Sequence, residues 1–120
     1  MKINSSADLL IGMLLFAFAQ ILGFFQMNLR YIHPWWEDKG ILTTLLFAIP
    51  VGGLFYYGWG HVMSGLNSSA WSARFIGFGI SYLVFPFLTY FYLNESFFSF
   101  KTLSCFVLSL FIVLIQIYAE

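Results

Sequence analysis

The chain has 120 residues, of which 61% are hydrophobic and 8% are charged, and its formal net charge at pH 7 is zero. Soluble domains carry about a quarter charged residues, so this composition excludes an ordinary soluble domain. No basic run is present, which leaves no electrostatic reason to expect nucleic acid as a partner.

The charged residues leave four long stretches without a formal charge, at 9–29, 40–73, 75–94 and 102–119. A helix needs about 20 mostly apolar residues to cross a hydrocarbon core of roughly 30 Å. Three stretches match one crossing each, and the second holds a crossing and a polar connector. The sequence therefore predicts an all-α integral membrane four-helix bundle that forms a single domain over residues 1–120. The predicted spans are 9–29, 41–60, 71–93 and 102–118.

The first predicted span follows a helix-start signal, because the Ser5 hydroxyl can cap free amides and Asp8 meets the positive end of the helix dipole. Gly12 and Gly23 lie on one side of this helix, where small residues permit close helix packing. Gln20 is the most polar side chain near mid-depth. It either lines a substrate cavity or makes a hydrogen bond between helices, and the sequence favours neither alternative.

The connector at 30–40 contains Pro34, two tryptophans and charges of both signs, which is typical of a turn at the headgroup level. His33, Glu37 and Asp38 are residue types that bind metals. They do not form the spaced set of ligands that a zinc site needs, so we predict a solvated turn and no metal site.

The second predicted span contains Pro50 and Gly53, which we expect to pack against another helix or to act as a hinge. Tyr57 shares their side of the helix and is therefore a candidate residue for lining a substrate cavity. The alternative is an aromatic belt at the membrane interface, which we favour for Trp59. The residues predicted to share this inward stripe are Thr43, Pro50, Gly53, Tyr57, Gly60 and Ser64.

The second predicted connector covers 61–69, where Asn67, Ser68 and Ser69 offer caps for the third helix. His61 and Arg74 flank this connector. Placement at the membrane interface accounts for both residues, and binding of an anionic headgroup or substrate is the functional alternative.

The third predicted span presents small or polar residues on one side, and these include Gly79, Tyr82 and Pro86. We expect Gly79 to serve helix packing, Pro86 to serve packing or a hinge, and Tyr82 to line a cavity. The fourth span contains Cys105 and Ser109 at the spacing of a weak small-residue packing motif.

Positive charges near span ends normally set the orientation of a membrane protein. Lys2 and Arg74 lie on the side of the two termini, and Arg30, Lys39 and Lys101 lie on the other side. This near balance permits either a fixed orientation or dual topology, in which two copies insert in opposite directions and pair.

The spans and the balanced charge resemble the small multidrug resistance type of the drug/metabolite transporter superfamily. The C-terminal half adds a similar pattern, with FPFL at 85–88, YLNE at 92–95 and Lys101 before the last span. The resemblance implies a single-repeat transporter fold. Members of that type have a membrane-embedded Glu in the first span, whereas this chain has no acid between Asp8 and Glu37. Because the amide of Gln20 cannot titrate, proton-coupled cation exchange by that mechanism is not supported.

No catalytic constellation is present, so we do not expect an enzyme, and we expect no cofactor. We expect a small transporter-like protein of a prokaryotic inner membrane that moves a small or lipid-linked substrate. Its expected partners are the lipid bilayer and a second copy of the chain, because four short spans hardly enclose a polar path alone. The alternative is an accessory subunit that binds a larger membrane protein without transporting anything.

Overall fold

A computed structural model describes residues 5–66, 69–96 and 98–118. It contains four long helices, α1 (Ser5–Ile32), α2 (Gly40–Gly65), α3 (Ala70–Tyr92) and α4 (Phe100–Tyr118), and a short 3-10 helix at Pro34–Trp36. No strand occurs within these ranges. The predicted all-α four-helix bundle is confirmed.

All four helices are long and apolar enough to cross a membrane, and their most apolar segments have mean hydropathies between 1.5 and 2.1. Their large apolar side chains point outward, as at Ile41, Ile49 and Phe91, which are 80%, 84% and 70% exposed. Burying apolar surface is the main favourable term for a protein in water, so such a surface belongs against lipid. The chain is a small integral membrane protein.

The helices pack in the order α2, α1, α3, α4, and α1 therefore lies between two neighbours. α2 runs antiparallel to α1, since Gly65 approaches Leu9 and Gly58 approaches Phe16. α3 runs parallel to α1, since Gly77 faces Phe16 and the Phe85 ring packs on the Phe24 ring. The bundle is flattened, with extents of 47 × 35 × 19 Å. Its third dimension is about two helix diameters.

Glycines set the contact between α1 and α2. A Cβ atom added at Gly12 would lie 2.5 Å from Val62 Cγ2 and 2.9 Å from the Gly58 carbonyl oxygen. Added at Gly65, it would lie 2.9 Å from the Leu9 backbone nitrogen. These three glycines let the two backbones approach more closely than any residue with a Cβ atom would allow.

Larger side chains fill the contact between α1 and α3, where Phe16 and Ile76 are almost completely buried. The contact between α3 and α4 again uses a small residue. A Cβ atom added at Gly79 would lie 2.5 Å from Val113 Cγ2, next to the buried Ser109. Gly79 therefore lies at the contact between α3 and α4.

The structure differs from the sequence prediction in the length of α2, which continues to Gly65 and leaves a shorter second connector. His61 is therefore helical. The extension is stable because Val62 and Gly65 pack on α1. Ser69 caps α3, since its hydroxyl accepts a hydrogen bond from the Ser72 backbone N–H at 3.2 Å. The other predicted caps, Asn67 and Ser68, lie outside the described residues.

The predicted inward stripe of α2 faces outward in the single chain, apart from Thr43, which is buried. Pro50 and Tyr57 are exposed, and a Cβ atom added at Gly53 would meet no atom within 4 Å. Glycines occur on several sides of α2, so spacing alone does not identify the side that faces α1. Gly23 of α1 also contacts no neighbouring helix. A packing role for Gly23 or Gly53 stays a prediction about an assembly.

The two membrane prolines do not interrupt their helices. α2 continues through Pro50 and α3 continues through Pro86. In α3 the Thr89 hydroxyl donates a hydrogen bond to the Pro86 carbonyl oxygen at 3.0 Å. The predicted hinge roles of both prolines remain predictions.

The first connector has the features of a turn at the membrane surface. His33 Nδ1 accepts a hydrogen bond from the Trp35 backbone N–H, and the Lys39 ammonium lies 4.1 Å from the centre of the Trp35 ring. The same ammonium hydrogen-bonds to Asp38 and holds the pKa of that carboxyl below its usual range. The connector is thus tied together by its own residues.

We predict that Gly12→Ala lowers the free energy of unfolding by about 1–3 kcal/mol, because the new methyl group collides with the backbone of α2. Gly53→Ala is the matched control and should leave it unchanged or raise it by up to about 1 kcal/mol, since its methyl group meets open space and alanine favours a helix more than glycine does. Unfolding in mixed micelles, followed by far-UV circular dichroism, measures both. Equal effects of the two substitutions would contradict the assigned contact.

Candidate functional site

A groove of about 320 Å³ lies where α1, α2 and α3 meet. Two polar side chains line it, Gln20 from α1 and Arg74 from α3, and the remaining walls are mostly aromatic. The lining residues are Phe16, Gln20, Phe55, Trp59, Arg74, Gly77 and Phe78. Gly77 contributes to the opening because it places no side chain beside Phe16.

Arg74 and Gln20 lie at different depths in this groove. Arg74 is in the second turn of α3, close to the end of the helix that Ser69 caps. Since α1 and α3 are parallel and Phe16 lies level with Gly77, Gln20 lies level with Ser81. Seven residues of helix separate this level from Arg74, a rise of about 10 Å. The groove therefore has a cation near the membrane surface and an amide deeper in the membrane.

Neither polar group has a hydrogen-bond or ion-pair partner among the residues that the structure describes. The Arg74 guanidinium lies 5.2 Å from the centre of the Phe78 ring, and the side chain is exposed. Charged groups inside a membrane are costly and normally serve a function or find a partner. The guanidinium is thus available to a ligand.

The charge of Arg74 decides which ligands the groove can hold. The guanidinium attracts an anion beside it and repels a cation, although solvent screening weakens both effects because the side chain is exposed. The end of the groove at Arg74 therefore favours anions over cations.

A second polar site joins α1 to α2 at the end of the bundle where α2 leads into α3. His61 Nδ1 lies 2.8 Å from an oxygen of the Asp8 carboxylate. The Asp8 side chain is only 12% exposed, whereas His61 is 39% exposed. This contact fixes the register of the two helices at this level.

The three residues predicted to line a substrate cavity lie in three different places. Gln20 lies in the groove with Arg74. Tyr57 lies on the outer face of α2, in an open depression that also contains Asp8 and His61. Tyr82 lies between α3 and α4, in a depression that also contains Lys101 and Cys105. A single chain does not bring them together, and their binding of substrate stays a prediction.

Sequence reasoning missed the pairing of Asp8 with His61 and the position of Arg74 beside the Gln20 groove. The signal for the pair was present, because an acid and a histidine occur at the same membrane face in neighbouring antiparallel spans. The signal for Arg74 was weaker. Only the parallel alignment of α1 with α3 brings Arg74 to the groove.

We predict that Asp8 and His61 are energetically coupled. A double-mutant cycle with Asp8→Ala and His61→Ala should give a coupling of about 1 kcal/mol or more in the free energy of unfolding, because this hydrogen bond is partly buried and is shielded from competing water. The exposed Asp38 and Lys39 pair is the control and should show a smaller coupling in the same micelles. Additive effects at Asp8 and His61 would show that the contact does not hold the helices together.

Comparisons with known proteins assign neither a family nor a function to this chain. No family model matches the chain, and neither the curated proteins nor the solved structures include a match. Within the described ranges, no three His, Cys, Asp or Glu residues come together as a set of metal ligands. What the molecule itself establishes is a small integral membrane protein of four apolar helices with a polar groove between three of them.

Proposed function

We propose that this protein is a small transporter-like membrane protein that binds a small or lipid-linked substrate in the groove of Gln20 and Arg74. The observation that carries the proposal is the groove itself. Its two polar side chains have no hydrogen-bond or ion-pair partner among the described residues, and aromatic side chains form most of its walls. Polar groups in such positions typically mark substrate or ion pathways.

The proposal includes a homodimer as the working unit. The flattened bundle is about two helices thick, and the groove is only partly enclosed, so one copy does not enclose a polar path. A second copy packed against the groove would enclose it further. Balanced flanking charges are compatible with an antiparallel pair, in which the two copies insert in opposite directions.

The proposed family is the small multidrug resistance type of the drug/metabolite transporter superfamily, in a single-repeat branch, and the proposed location is a prokaryotic inner membrane. Support comes from four spans in a short chain and from the proline and acidic-turn pattern of the C-terminal half. The coupling mechanism would differ from that of the multidrug type, because the first span has no acid between Asp8 and Glu37 and the amide of Gln20 cannot titrate.

A second candidate function, an accessory subunit of a larger membrane protein, is favoured by the outer face of α2. A Cβ atom added at Gly52, Gly53 or Gly60 on this helix would meet no atom of the described chain within 4 Å. Exposed small residues are typical of surfaces on which another membrane helix packs closely.

We predict that Gln20→Leu abolishes substrate flux without disturbing assembly. Proteoliposomes that contain the wild-type chain should take up at least one member of a panel of radiolabelled metabolites and lipid phosphates. Gln20→Leu should lower the rate at least tenfold because it removes the deep polar contact. Gln116→Leu makes the same chemical change in α4, outside the groove, and should leave the rate unchanged. Wild-type vesicles without flux for any panel member would contradict transport.

The accessory function predicts a different result. Gly23→Leu and Gly53→Leu are accommodated within one chain, because a Cβ atom at either position meets open space. If these substitutions abolish association with a copurifying membrane protein while Gln20→Leu does not, the chain acts as an accessory subunit. Light scattering of the purified variants in detergent reports in parallel whether the same glycines hold a homodimer together.

A further inference from the structure

We propose that the groove between α1, α2 and α3 binds an amphipathic anion, with a phosphate headgroup on Arg74 and its apolar chain along the aromatic walls. This inference names the substrate class of the groove and so rests on the proposed function for its role in transport. The binding itself can be tested without any flux.

The first argument is the state of the Arg74 charge. No acid among the described residues pairs with it. Asp8, the described acid at this end of the bundle, already bonds to His61. Glu37 and Asp38 lie in the connector at the other end of α1, and Glu95 follows the far end of α3. The guanidinium therefore lacks a counter-charge within the described chain, and its fork of N–H donors matches a phosphate group.

The second argument is the depth of the groove. Lipid phosphates lie at the membrane surface, and Arg74 lies near that end of α3. A headgroup on Arg74 would direct its chain inward past Phe16 and Phe55, which line the groove below. The Gln20 amide, about 10 Å deeper, can hydrogen-bond to a polar linkage such as an ester between headgroup and chain.

The third argument is size and openness. A volume of about 320 Å³ lies at the lower end of the range for small-molecule sites. It has room for a headgroup and the first part of a chain. Because the groove is only partly enclosed, the remainder of the chain can extend beyond it. A free inorganic anion would leave the aromatic part of the groove unfilled.

Native mass spectrometry of the full chain in dodecylmaltoside micelles tests the inference with three probes. Dodecyl phosphate should bind at least tenfold more tightly than dodecylphosphocholine, which has the same alkyl chain but a zwitterionic headgroup without net charge. Inorganic phosphate should bind at least tenfold more weakly than dodecyl phosphate. Equal binding of the two amphiphiles would overturn the role of the anion. Binding of inorganic phosphate as tight as that of dodecyl phosphate would overturn the role of the chain and indicate a free anion as ligand.

Variants then assign the site. Arg74→Gln should weaken dodecyl phosphate binding at least tenfold, and Arg74→Lys, which keeps the charge but loses the fork of N–H donors, should weaken it less. Arg30→Gln, which removes a charge at the opposite membrane face, should have no effect. Unchanged binding in Arg74→Gln would overturn the site. A circular dichroism spectrum like that of the wild type would show that this variant is folded. If dodecyl phosphate binds tightly and this binding depends on Arg74, but proteoliposomes show no flux, the transport proposal is wrong and the binding proposal stands.

Discussion

The close contact between α1 and α2 determines where the rest of the structure lies. Gly12, Gly58 and Gly65 remove the atoms that would keep the two backbones apart, and Val62 fills the space that remains. In a membrane this kind of close packing replaces the hydrophobic effect as the force that joins helices. With α2 fixed on one side, the opposite side of α1 is free to pack on α3. The Asp8 and His61 pair and two walls of the groove follow from this arrangement.

The groove has the opposite electrostatic character from a cation exchanger. A carboxylate in the first span would attract cations and could release them by taking up a proton. In this groove the amide of Gln20 can form hydrogen bonds but carries no charge. The charged residue in the groove is Arg74 of α3, which is positive. The span count of a multidrug exporter thus occurs here together with a groove that we propose binds anions. The nearest titratable pair, Asp8 with His61, lies outside the groove residues and bonds internally.

The fold was predictable from the sequence because membrane spans depend on local composition. Each charge-free stretch became a helix, and the Ser69 cap was visible as a local signal. Which side of α2 meets α1 was not predictable, since its glycines occur all around the helix and spacing does not rank them. The site was only partly predictable. Gln20 stood out by its own polarity, whereas the position of Arg74 depends on the axial alignment of two helices about 60 residues apart.

Because Arg74 lies near one end of the bundle, an anion bound to it would lie near one face of the membrane. Each copy would therefore have a defined orientation with respect to the membrane potential. An anion that leaves this residue and crosses the bilayer moves its charge through the field, at about 2.3 kcal/mol per charge for each 100 mV. In a parallel pair both copies would load from the same compartment, and the potential would drive net movement one way. In an antiparallel pair one copy would load from each compartment, so the same potential would favour release from one arginine and retention at the other.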